Sequence, residues 1–173
     1  MFLTVTIGCV VAIPGVSGAA GRQYSANVTA GFVSAALATN HPAVSYDQAR
    51  VPLGSRVQVV QFRQNKAGDA GNVFVETLRV WGLDPHARYF AYAYAYANAC
   101  GSTPGVAGTR VQDGPSRAHY AQNEIWLGFR TNAHGVATSS TSQYWLSSGH
   151  AKSILISAQP TSQPVACVSV ALE

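Results

Sequence analysis

The chain has 173 residues, a formal charge of +4 and only 10% charged side chains. That length suits one domain with a sizeable core, and the charge content lies well under the ~25% usual for soluble domains. Lysines and arginines are scattered rather than clustered, which argues against a nucleic-acid partner; no segment sustains helical spacing of apolar residues, which points to short strands and turns.

Residues 1–20, "MFLTVTIGCVVAIPGVSGAA", carry no charge and end in small side chains. They read as a signal peptide cleaved near Ala19 or Ala20, although no lysine or arginine precedes the apolar run. A membrane anchor competes, but Pro14, Gly15 and Gly18 interrupt a run that only approaches the ~20 residues a span requires. Cys9 as a lipid-modified residue is a poorer match, because Thr6 stands where leucine is usual. Residues 21–43 show no clear period and read as a flexible N-terminal arm. Within them Asn27-Val28-Thr29 matches a glycosylation sequon.

From Val44 the pattern changes. "RVQVVQFRQ" (56–64) alternates Val57, Val59 and Gln61 against Gln58, Val60 and Phe62. "NVFVETLRVWGL" (72–83) alternates less cleanly, with Val73, Val75, Leu78 and Val80 as its apolar set. The turn residues between them predict a hairpin. "WGLDPHARY" supplies a proline-containing turn. Residues 89–97 form a third strand in which tyrosine alternates with alanine. A long irregular stretch, 101–122, follows, and loops longer than ~12 residues are usually functional. "NEIWLGFRT", "VATSSTSQYW", "KSILISA" and "VACVSVAL" read as further strands separated by turns. About eight short antiparallel strands at this spacing predict an all-β sandwich or Greek-key barrel.

If the leader departs with Cys9, Cys100 and Cys167 remain. An even pair in an exported chain reads as one disulfide.

The order "VPLGSRVQVV", "VWGLDPHARYFA", "NACG", "AHY", "NEIWLGF", "VACVSV" resembles the copper/zinc superoxide dismutase family, and most of all its secreted actinobacterial, copper-only-like branch. The likeness covers residues 44–173, the expected superoxide dismutase-like domain. It implies that Cys100 and Cys167 are bonded and tether a long metal loop to the last strand. It also implies a copper site that this chain has largely lost. Where the family places two histidines on the strand before the cysteine, this chain has tyrosines: Tyr94 and Tyr96 counted from Cys100, or Tyr92 and Tyr94 counted from Tyr89. His119 keeps the bridging histidine position, Ser157 replaces the remaining copper histidine, and Pro164 stands where the family has a guiding arginine. Glu124 matches a carboxylate that orients a copper histidine in copper-only relatives.

A phenol has an ordinary pKa of ~10, so ionising it at neutral pH costs roughly 4 kcal/mol before any metal contact. With His119 as the remaining imidazole, no cofactor is expected, weakly held copper being the alternative. An iron(III)–phenolate centre is a further reading of the tyrosines. Tyrosine also packs well on strands, so Tyr92, Tyr94 and Tyr96 are either a packed wall beneath the long loop or a candidate binding face. The acids are scattered, and no G-x-S-x-G elbow supports a nucleophile. The expected function is non-catalytic binding or scaffolding, outside the cell or at its envelope. An active copper-dependent dismutase with an unusual site is the rival, and a purely structural envelope domain is a third class. The partners left open are an envelope or extracellular molecule and a second copy of the chain in a homodimer.

Overall fold

The computed structural model describes residues 23–65, 72–95, 100–113, 123–145 and 151–172. The expected leader, Tyr96, His119 and His150 lie outside them.

The described residues form an all-β sandwich. Its strands are β1 (Gln23–Gly31), β2 (Val33–Ser34), β3 (Ala43–Ser45), β4 (Arg56–Asn65), β5 (Asn72–Trp81), β6 (Arg88–Ala95), β7 (Thr109–Arg110), β8 (Phe129–Arg130), β9 (Ala137–Gln143), β10 (Ala151–Ala158) and β11 (Gln163–Leu172). Sheet A has the order β1-β4-β5-β9. Sheet B runs β2-β3-β11-β10-β6-β7, with β8 also against β6. All pairings are antiparallel except β2 with β3.

The expected hairpin is present as β4 and β5, paired from Arg56 with Trp81 to Asn65 with Asn72. Its inner face differs from the expectation on β5. Phe74, Glu76, Leu78 and Val80 are buried, while Val73 and Val75 are half-buried on the outer side. The strand runs without a bulge, so strict alternation carries the carboxylate of Glu76 inward and displaces the valines outward.

The expected flexible arm is also corrected. Residues 23–31 form an edge strand paired along β4, from Gln23 with Arg63 to Gly31 with Arg56. Ala26, Val28 and Ala30 pack against the core, whereas Asn27 and Thr29 face out. The period-two signal, Ala26, Val28 and Ala30 against Asn27 and Thr29, spans only five residues and is short in the sequence.

The main core lies between the sheets. Val57, Val59, Leu78 and Val80 from sheet A meet Tyr89, Ala91, Ala93, Ile154, Ile156 and Val168 from sheet B. A second, smaller cluster sits on the other side of sheet B: Ala38, Val44, Cys100, Ala107, Leu155 and Cys167. The 3₁₀ turns at Ala35–Asn40 and Pro104–Ala107 supply its cover. Burial on both faces explains why "SILI" in β10 reads as a continuous run rather than an alternating one.

Cys100 and Cys167 form a disulfide with Cα atoms 5.7 Å apart. The bond joins the start of the 100–113 segment to β11. Around it, the Tyr46 hydroxyl donates to the Gly101 carbonyl at 2.9 Å and the Cys100 amide donates to Ser169 Oγ at 2.8 Å. At the other end of the sandwich, the 132–136 turn locks onto the turn after β5. The Leu83 amide donates to the Gly135 carbonyl. Gly135 has φ +69°, and a Cβ there would lie 2.1 Å from the Leu83 carbonyl oxygen, so only glycine fits.

Candidate functional site

Alternation on β6 sorts the side chains as the sequence implies. Ala91 and Ala93 enter the core at 0% and 1% exposure, and their small volume lets the sheets approach. Phe90, Tyr92 and Tyr94 stand on the outer face of sheet B. Register sets their neighbours: Phe90 opposite Ser157, Tyr92 opposite Leu155 and Tyr94 opposite Ser153. Ser157 is in turn opposite Pro164 on β11. Ser157 and Pro164 are therefore direct cross-strand partners, with Phe90 rather than a tyrosine beside them.

The far edge of β6 is closed by two segments. β7 pairs Arg110 with Tyr94. Residues 123–130, expected as one strand, run irregularly antiparallel. The Ala93 amide donates to the Ile125 carbonyl and the Leu127 amide to the Ala91 carbonyl, but only Phe129–Arg130 is regular strand. Within this segment the Trp126 ring lies against Gly128, where a Cβ would come within 2.6 Å of Trp126 Nε1.

These segments bring an arginine onto the phenols. The guanidinium carbon of Arg110 lies 3.7 Å above the centre of the Tyr92 ring, well within cation–π range. Arg110 Nη1 is 3.4 Å from Glu124 Oε2, and Gln112 Nε2 is 3.3 Å from Glu124 Oε1. Trp126 stacks beside Tyr92, ring centres 6.3 Å apart and 12° from parallel. Glu124 is 4% exposed. A polar side chain so buried needs partners within the protein, and Arg110 with Gln112 provide them.

The protonation states follow. Burial pushes the Tyr92 phenol above its ordinary value, against the opposing pull of Arg110 and with help from Glu124 and Tyr94. Burial also opposes the charge on Arg110. The hydrogen bond to Tyr94 and the attraction of Tyr94, Glu124 and Tyr92 outweigh it, so its pKa rises. At neutral pH the face therefore holds a neutral phenol covered by a permanent cation.

The described residues do not fit copper. Tyr92 keeps its proton, Ser157 sits beside a phenylalanine, and Glu124 is engaged by Arg110. A further cation within 4 Å of the guanidinium would meet a repulsion of about 4 kcal/mol per unit charge at an effective dielectric of 20. Among the described residues no group of three or more His, Cys, Asp or Glu converges. Tyr92 and Tyr94 are half-buried rather than a free wall of rings. Tyr94 packs against the disulfide cluster. His41, His86 and His134 are exposed, as their turn contexts imply.

Sequence reasoning missed Arg110, Gln112 and Trp126. Nothing in "AGTRVQDG" marks an arginine for a phenol; strand pairing alone delivers it. It also missed a polar group inside the sandwich. Gln61 Nε2 donates to Glu76 Oε1 at 2.7 Å, and both residues are 0% exposed. Burial raises the Glu76 carboxyl to about 7, against the lowering effect of the Gln61 hydrogen bond. The other Glu76 oxygen and both amide atoms of nearby Gln143 are buried without a hydrogen bond. The signal was present: reading β5 from Phe74, Leu78 and Val80 places residue 76 inside.

No protein-family model matches the chain, and no curated protein matches it.

Proposed function

We propose that the chain is a Greek-key, superoxide dismutase-like domain that has lost its copper chemistry and acts without catalysis, as a binding or structural module outside the cell or at its envelope. The observation that carries this reading is Arg110. Its guanidinium lies 3.7 Å over Tyr92, on the face where the family likeness puts a metal, and buried Glu124 holds it there. A fixed cation and a protonated phenol are the reverse of what a redox metal requires.

Export is supported by the Cys100–Cys167 bond, a linkage that persists in oxidising compartments. Among the described residues no helix is long and apolar enough to cross a membrane.

The test is copper loading. The full chain is incubated with Cu(II), dialysed, and assayed for bound metal and superoxide decay. The expected result is copper well below one equivalent and decay at the rate without protein. Stoichiometric copper with fast decay establishes the rival reading, an active dismutase that uses His119 and other residues outside the described set.

A further inference from the structure

The outer face of sheet A carries a second feature, unrelated to the phenols. Arg56 and Gln58 on β4, Thr29 on β1 and Trp81 on β5 line an open cavity of about 490 Å³, within the usual size of small-ligand sites. Register explains the grouping. Arg56 is opposite Trp81, Gln58 is opposite Thr29 on one side and Arg79 on the other, and all alternate outward from buried Val57, Val59, Leu78 and Val80.

Among the described residues these side chains have no side-chain partner. The described ion pairs join Arg50 to Asp84 and Arg110 to Glu124, so neither Arg56 nor Arg79 has a carboxylate partner among the described residues. Trp81 is 36% exposed and stacks on no other ring among the described residues. The groove thus combines a flat indole, an amide, a hydroxyl and the Arg56 guanidinium, with Arg79 opposite Gln58 on the neighbouring strand, and neither arginine has a carboxylate partner among the described residues.

We propose that this groove binds an acidic saccharide, a sugar chain bearing carboxylates. The indole face suits the C–H face of a pyranose ring. Gln58 and Thr29 match hydroxyls that both donate and accept. Arg56 and Arg79 match carboxylates in the planar, two-pronged manner of guanidinium. The volume admits one or two sugar rings. A nucleic acid is the poorer fit: backbone binding rests on a run of phosphate contacts, and this face offers a single pair of arginines on a chain of net charge +4. The site lies on the sheet opposite the phenols, so it stands or falls independently of metal loading there.

The experiment titrates the full chain with a galacturonic acid trisaccharide and with the same trisaccharide after reduction of its carboxyls to alcohols, followed by calorimetry and amide NMR. The acidic sugar is expected to shift the amides of residues 29, 56–58 and 79–81 and the Trp81 indole. The reduced sugar is expected to bind at least tenfold more weakly, as is the acidic sugar to R56Q/R79Q, while Trp81→Leu weakens both sugars. These side chains are at the surface, and unchanged amide spectra elsewhere verify that the variants fold. No shifts at these residues, equal affinity for the two sugars, unchanged affinity in R56Q/R79Q, or tighter binding of a single-stranded oligonucleotide would each overturn the proposal.

Discussion

On sheet B an arginine covers an aromatic ring and is held there by a buried carboxylate; on sheet A arginines stand beside an aromatic ring with no carboxylate partner among the described residues. The residue types are alike, yet Arg110 is spent on internal structure and Arg56 and Arg79 are free for a ligand. The difference comes from what lies over each sheet. Sheet B has an outer cover, built from the two 3₁₀ turns and fastened by the disulfide, and its β6 edge is extended by β7 and residues 123–130. Among the described residues the groove end of sheet A has none. A face becomes interior when the chain crosses it, and its polar groups must then find partners within the protein.

Removing the fastening breaks the comparison most directly. The disulfide spans 67 residues of sequence, for which chain-entropy arguments give about 4 kcal/mol. Cys100→Ser should lower the melting temperature by roughly 10 °C and speed amide exchange in residues 100–113, while exchange in β4 and β5 changes less. Equal melting of variant and parent would show that the outer layer stands without its bridge.

The next effect probes the inner side of sheet A. The carboxyl of Glu76 is raised from 4.5 to about 7 by burial. Between those values the native state holds a proton that the unfolded chain has released, so stability falls as pH rises through this window and is level on either side. The gap corresponds to about 3 kcal/mol. Glu76→Gln has no proton to lose and keeps an oxygen for Gln61. It should match the parent near pH 4 and exceed its stability by up to about 3 kcal/mol at pH 8. Urea midpoints at the two pH values check this, and parallel behaviour of the two proteins would contradict the burial argument.

Much of this arrangement was legible in the residues. Ala91, Tyr92, Ala93 and Tyr94 sort by strict alternation, and small side chains on one side can only be the tight interior. The β4–β5 hairpin follows from its turn residues, and the pairing of Cys100 with Cys167 from cysteine arithmetic. What was not legible depends on pairing between distant strands. β1 was missed because the alternation of Ala26, Val28 and Ala30 with Asn27 and Thr29 spans only five residues and is flanked by small residues without a period. Glu76 was missed because Val73 and Val75 suggest the opposite register. Arg110 reaches Tyr92 only through a cross-strand register that no local pattern encodes, whereas Arg56 and Trp81 pair within the expected hairpin.

The last pair of effects measures the comparison itself. Arg110 is about one-third exposed and bound to a carboxylate that is nearly inaccessible. Arg110→Gln leaves Glu124 with Gln112 but without its cation, and removes the cover from Tyr92. We expect a loss of about 1–2 kcal/mol, below the value for a fully buried pair because solvent reaches the guanidinium. R110Q/E124Q should recover part of that loss, since no stranded charge remains, and a double-mutant cycle in urea isolates the coupling. R56Q/R79Q should cost no more than about 0.5 kcal/mol, the usual range for surface changes that break no partner. Equal costs for the sheet A and sheet B arginines would mean that the cation over Tyr92 contributes nothing beyond an ordinary surface charge. The distinction between a sealed face and an open one would then lose its energetic basis, because the outer layer would be lying over sheet B without drawing on its polar groups.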